Sequence, residues 1–335
     1  MRYVFVLLLL YVRSFAQPNV HIRGHFEGFP SSEYKILVTS PHSLVSQSLT
    51  SAESILQEKT DLNGSFQTGI RLNFPQKVTI VCLGYRIDFL LSPNDTLNFS
   101  TPSRSALPQV QGATANLHHF LYESLLFGKD SLCEKPLFQN MSLDNYSLII
   151  NDLSAHYWEN YQRECDTSNT YVNTYVKASL EGQKFLRKRA YLHSQGDRLK
   201  NEPISFAFLE DKAHISDVYM DALYEYLLGV SANPFSMIGK PMNSDSTFWR
   251  KGYLHTYETL RKLPLTREIM LAQIVKKTLF PFIMFSEKEG IKITTALTLL
   301  KQFQEDFPKS PYLQPLNEMV DENKIIEKRM KENEK

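Results

Sequence analysis

Over roughly the first hundred residues, apolar and polar side chains alternate or run in short blocks between turn residues. The blocks are Val20 to Phe29, Tyr34 to Thr39, Ser65 to Leu72, Lys77 to Leu83, Arg86 to Leu91 and Thr96 to Phe99. Short segments spaced this closely by turns predict an antiparallel β-sandwich. Asp61-Leu62-Asn63-Gly64 supplies one hairpin turn, because Asn and Gly accept positive φ at little cost. Ser92-Pro93-Asn94-Asp95 supplies another, in which Pro presets φ and an Asn or Asp side chain closes the backbone. After about Gly112 the period becomes helical. Tyr146, Ile149, Leu153, Tyr157 and Tyr161 fall at steps of three and four and so share one stripe; Ile293, Leu297, Leu300 and Phe303 nearly do the same. Gly196, Pro203, Asn233-Pro234, Pro264, Pro281 and Pro308 can each end or begin a helix, which predicts six to eight helices. Beyond Pro315 the pattern turns polar, and Glu327 to Lys335 reads as a frayed, solvated tail. The predicted class is α+β: an N-terminal antiparallel β-sandwich followed by an all-α helical domain.

Ahead of the first strand, Arg2 is followed by Tyr3 to Val12 without a charge, then Arg13, Ser14, Phe15 and Ala16. A basic start, an apolar core of about ten residues and a small-residue exit predict a secretory signal peptide cleaved before Gln17. The run is shorter than the ~20 residues that span a bilayer, and no later stretch is long and apolar enough either. The domains are therefore read as a signal peptide over 1–16, a sandwich domain over 17–107 and a helical domain over 108–335. Charge density supports the division, at about 15% from Gln17 to Pro102 and about 25% beyond. The whole chain carries 37 basic and 36 acidic residues, a net +1 that becomes −1 once Arg2 and Arg13 are removed. Such a balance argues against a nucleic-acid partner, which requires a basic surface to neutralise phosphates.

Compact catalytic signatures are missing: there is no C-x-x-C, H-E-x-x-H, G-x-S-x-G or P-loop. Cys82 lies in an apolar strand and reads as a small buried hydrophobe. Cys133 and Cys165 flank a predicted helix and could pair in an oxidising compartment only if the chain folds back. No spacing predicts a metal site. His21 and His25 share a strand face but stand too far apart to chelate one ion. His118-His119 opens a helix, with Glu123 a turn after His119, a spacing typical of a surface contact. Lys184, Arg187, Lys188 and Arg189 read as a solvated basic face. The tyrosine pairs Tyr171/Tyr175 and Tyr253/Tyr257 read mainly as helix packing. Near the predicted first helices, Tyr157, Trp158 and Tyr161 are the candidate lining of a binding surface facing the β-domain, with Trp158 the more exposed by period.

Thr60-Asp61-Leu62-Asn63-Gly64-Ser65-Phe66 resembles the "tDxnGxF" hairpin of the N-terminal β-domain (DUF4369-like) of bacterial TlpA-like thiol-disulfide oxidoreductases. Phe89 to Leu97 resembles their following "fl-x-PGDsl" strand-turn-strand, with Asn94 where Gly is usual. Val110 to Leu117 is similar to the "v-x-G-x-x-x-N" segment that opens their helical region. Pro203 to Tyr226 and Tyr253 to Leu260 are similar to the later helices. Phe307 to Tyr312 is similar to the stretch before their thioredoxin domain, and also resembles a junction in a tetratricopeptide-like helix pair. The resemblance implies an exported cell-envelope protein, periplasmic or extracellular. Family members continue into a domain carrying W-C-x-x-C, which this sequence lacks. No catalytic residue is carried over, because exchange needs an attacking thiolate and a resolving partner.

The leading expectation is a non-enzymatic binding or interaction protein of the cell envelope that uses no cofactor or metal. Its partner would be an envelope protein or a small ligand. The second is an accessory or truncated member of a TlpA-like redox system without its thioredoxin domain. The third is an envelope enzyme acting on peptide or glycan.

Overall fold

The computed structural model describes residues 18–39, 53–102, 107–124, 126, 141–195, 204–207, 210–229, 246–284 and 293–322. The expected signal peptide, Cys133, the breaks at Gly196, Pro203 and Asn233-Pro234, and the polar tail lie outside these residues.

Among the described residues eight strands come first: β1 (Val20–Phe26), β2 (Glu33–Thr39), β3 (Glu53–Lys59), β4 (Ser65–Ile70), β5 (Gln76–Cys82), β6 (Tyr85–Leu91), β7 (Thr96–Thr101) and β8 (Gln109–Gln111). They form two four-stranded sheets, the first in the order β4-β1-β7-β8 and the second in the order β3-β2-β5-β6. Pairing is antiparallel except between β1 and β7, which run parallel. Alternation decides which face is buried. In β1, Val20, Ile22 and Phe26 are buried while His21 and Arg23 are exposed. The sheets meet through aromatic rings, Tyr34 on Phe66 with centroids 4.1 Å apart and Phe89 on Phe99 at 4.9 Å.

Both expected turns form, but neither closes a hairpin: β3 and β6 lie in the second sheet and β4 and β7 in the first, so each turn carries the chain from one sheet to the other. At the first, Gly64 takes φ +82°, and a Cβ there would lie 2.3 Å from the Phe26 carbonyl oxygen. The Asp61 carboxylate accepts from the amides of Asn63 and Ser65, each at 2.8 Å. At the second, Asn94 takes φ +73°, and the Asp95 carboxylate accepts from the Ser92 amide at 2.7 Å. Asn tolerates this left-handed conformation better than most residues.

Eight α-helices follow among the described residues: α1 (Ala115–Glu123), α2 (Leu143–Glu164), α3 (Thr170–Ser194), α4 (Asp217–Leu228), α5 (Ser246–Thr259), α6 (Pro264–Met284), α7 (Ile293–Asp306) and α8 (313–322). Phe307 to Tyr312 links α7 to α8. By its contacts the chain divides into two compact units. One takes in the strands, α1 and residues 157–172; the other takes in residues 141–156 and the described residues from Asn173 on.

In the first unit α1 covers the open edge of β6. The Tyr122 hydroxyl donates to the Asp88 carbonyl at 2.8 Å and accepts from the Asp88 amide at 3.2 Å, standing in for a further strand. Beside it His118 is fully buried, with its ring edge-on to Phe89 at 5.3 Å and Nδ1 donating to the Thr114 carbonyl at 2.8 Å. Asn116 Nδ2 donates to the Glu164 carbonyl at 3.0 Å, tying the end of α2 to α1.

In the second unit the core is built from α3 to α8, around Phe185, Tyr219, Leu223, Trp249, Ile274 and Phe303. Asp211 caps α6, accepting from the amides of Leu265 and Thr266 just after Pro264, the first helical residue. Tyr253 donates to the Asp306 carboxylate at 2.9 Å.

The helical periods require correction. Tyr146 and Tyr161 are buried, but Ile149 is 39% exposed and Ile150 takes its place. In α7 Leu297 is likewise exposed, and Leu299 with Leu300 and Phe303 face the core. In each case one expected position is exposed and another residue packs, while the flanking members of the stripe stay buried, because the packed face is set by what the helix meets. Pro281 does not break α6, which continues through it to Met284, the last described residue of this stretch. Two strands escaped prediction: β3 is a polar edge strand, and β8 has only three residues.

Candidate functional site

The outward side of the first sheet carries an ordered polar surface. Register brings Gln67, Arg23, Asn98 and Gln111 into one row across β4, β1, β7 and β8. Ser65, His25, Ser100 and Gln109 form a second row, and His21 with Thr96 begins a third. Side chains within a row stand ~5 Å apart and rows ~7 Å apart, from ordinary strand geometry. No outward position in these rows carries a carboxylate or an apolar side chain. The first row and Ser65, His25 and Ser100 of the second line a depression of about 630 Å³ whose rim includes Glu58, Lys59 and Asp61. That volume falls within the usual range for a small-molecule site.

The rim carboxylates are already engaged. Glu58 accepts from the Tyr34 hydroxyl at 2.7 Å, and burial together with Glu58 holds that phenol above its usual range. Asp61 is taken up by its own turn. The floor is different: among the described residues, the side chains of Arg23, Gln67, Asn98 and Gln111 make no hydrogen bond or ion pair, and neither does that of Lys59 on the rim. His25 alone is fixed, with Nδ1 3.0 Å from Ser65 Oγ. Beneath the floor, Gly24 lets the rings of Phe66 and Phe99 close over β1; a Cβ there would lie 2.3 Å from the first and 2.7 Å from the second.

The opposite sheet shows what a self-satisfied outer face looks like. There Asp88 pairs with Lys77 at 3.5 Å and with Arg86 at 3.3 Å, and also accepts from the Thr79 hydroxyl. Lys35 pairs with Glu33.

The residues singled out from sequence are distributed as follows. Tyr161 is fully buried, packed on Phe120 at 5.3 Å and on Trp158 at 5.4 Å. Tyr157 and Trp158 are half-buried in the same unit. Cys82 is buried in β5, and Cys165 is half-buried just after α2. Burial, helped by Glu164, pushes the Cys165 thiol up to about 11, so it is a poor thiolate nucleophile. The proposed pairing with Cys133 falls outside the described residues. His21 and His25 do share the outward face of β1. His119 and Glu123 meet at 3.1 Å on the exposed side of α1. The basic run on α3 is not a solvated face: Arg187 is buried, and Lys184 and Arg189 pair with Glu181 and Glu225.

The polar floor was missed although its parts were visible. Alternation marks His21, Arg23 and His25 as outward on one segment and Asn98 and Ser100 on another, but only the parallel pairing of β1 with β7 sets them side by side. Among the described residues no group of three or more His, Cys, Asp or Glu side chains could hold a metal ion, and no helix is long and apolar enough to cross a membrane. Comparison with protein-family models, curated proteins and solved structures returned no significant match.

Proposed function

We propose that the protein is a non-enzymatic binding protein of the bacterial cell envelope, exported by removal of residues 1–16, which takes its ligand on the outward face of the first sheet. The carrying observation is the contrast between the two outer faces. One is closed by its own ion pairs, while the other presents Arg23, Gln67, Asn98 and Gln111 with no side-chain partner among the described residues. A row of unengaged donors and acceptors in a depression fits reversible recognition by hydrogen bonds. It holds no pair of coupled acid and base groups of the kind that catalysis requires. The address rests on the charge-free run from Tyr3 to Val12 and on the resemblance to the TlpA-like β-domain. The accessory redox reading draws no support from Cys165, whose thiol is pushed away from the reactive range.

Crosslinking in intact cells, followed by mass spectrometry of the purified chain, tests the reading. The chain should begin at Gln17 and should carry an envelope component that Arg23→Ala loses. A chain that keeps Met1, or a crosslinked component indifferent to Arg23→Ala, overturns it.

A further inference from the structure

We infer that the ligand of this face is a hydroxyl-rich oligosaccharide bearing an oxyanion, carboxylate or sulfate. The inference rests on the binding reading above and names the class of ligand. Three observations select it.

The first is charge. The floor offers Arg23, which makes no ion pair among the described residues, while the carboxylates of the depression, Glu58 and Asp61, lie on the rim with Lys59 and are held there by the Tyr34 hydroxyl and by turn amides. An anionic group meets Arg23 without displacing an existing partner. The planar guanidinium matches a carboxylate or sulfate through two parallel hydrogen bonds.

The second is the kind of neighbour that surrounds this charge. Gln67, Asn98 and Gln111 each offer both a donor and an acceptor in the row of Arg23, and Ser100 offers a hydroxyl in the next. Sugar hydroxyls also donate and accept at once, so this row satisfies them pairwise. A simple polyanion such as an acidic peptide satisfies only the cations and leaves the amides to water.

The third is what the face lacks. The aromatic rings of β4 and β7, Phe66 and Phe99, point inward and are buried. A neutral sugar held by stacking on an aromatic ring finds none in the two rows. Affinity must come from polar contacts, and the charged one is the strongest of them. The rows extend over four strands, ~15 Å, which suits a chain of sugars better than a single small anion.

Calorimetric titration of the full chain, with residues 1–16 removed, provides the test. The probes are oligogalacturonate for the carboxylate, chondroitin sulfate oligomers for the sulfate, dextran for neutral hydroxyls and polyglutamate for charge alone. Binding of at least one acidic saccharide is expected, with dextran silent and polyglutamate at least tenfold weaker. Arg23→Gln should weaken the saccharide tenfold or more. Gln111→Ala, an exposed change on the edge strand, should weaken it severalfold and serves where Arg23→Gln alters the circular dichroism spectrum. The inference is overturned if neither acidic saccharide binds, if polyglutamate or dextran binds as well as they do, or if both folded variants bind like wild type. Should the saccharides fail while the crosslinked envelope component still depends on Arg23, the ligand class falls and the binding reading stands. Should both fail, the binding reading falls with it.

Discussion

His118 ties the stability of the sandwich unit to pH in a way that can be calculated. Its ring is fully buried between α1 and β6, edge-on to Phe89, and burial lowers its pKa from 6.5 to about 4 despite the hydrogen bond to the Thr114 carbonyl. Because the folded value lies below the unfolded one, the neutral ring belongs to the native state. Above pH 6.5 both states are neutral and folding incurs no penalty. As pH falls from there towards 4, the unfolded chain takes up a proton that the folded chain refuses, and stability declines. Between about pH 7.5 and about pH 4.5 the difference integrates to about 2.5 kcal/mol. Replacing His118 with Gln removes the titration while keeping a hydrogen-bonding side chain. The assay is urea unfolding at both pH values, followed through Trp158 fluorescence in a Trp249→Phe background, since Trp158 belongs to the unit that holds His118. Other groups titrate over the same range, so the quantity that matters is the stability change of wild type minus that of His118→Gln. A difference below about 1 kcal/mol, or one of opposite sign, would show that the imidazole is hydrated or protonated in the native state, and would refute the burial argument.

Two further outcomes follow from single atoms. Gly64→Ala should destabilise the sandwich by roughly 3 kcal/mol, because a Cβ would meet the Phe26 carbonyl at 2.3 Å on a backbone already at φ +82°; urea titration measures it, and a loss under about 1 kcal/mol would mean that the turn can relax. Tyr122→Phe should cost about 1–2 kcal/mol, since both polar groups of Asp88 on the β6 edge lose their partner; faster amide exchange at Asp88 by NMR is the local readout, and unchanged exchange would mean that water replaces the hydroxyl.

Much of this architecture is legible locally. Apolar positions that alternate, as in β1 and β7, or run in short blocks between turn residues, as in β5 and β6, define six of the strands, β1, β2, β4, β5, β6 and β7. Gly64 and Asn94 mark their turns because few residues tolerate positive φ. Pro264 opens α6 because a first-turn residue has no amide bond to lose. These are properties of the chain over a few residues, and the sequence carries them by itself. β3 left no such mark, since a polar edge strand buries too little to enforce alternation. Other features belong to no single segment. Whether Ile149 or Ile150 turns inward depends on what α2 packs against, so the choice between them lay beyond the reach of period alone. Arg187 sits in a run that looks solvated and is nonetheless buried, because burial depends on neighbours distant in sequence. The candidate site is the clearest case. His21, Arg23 and His25 and the polar residues of β7 are separated by more than seventy residues, and they form one surface only because β1 and β7 pair in parallel and in this register. A shift of one residue would turn the same side chains into the core, so it was the tertiary structure that decided that they face outward together.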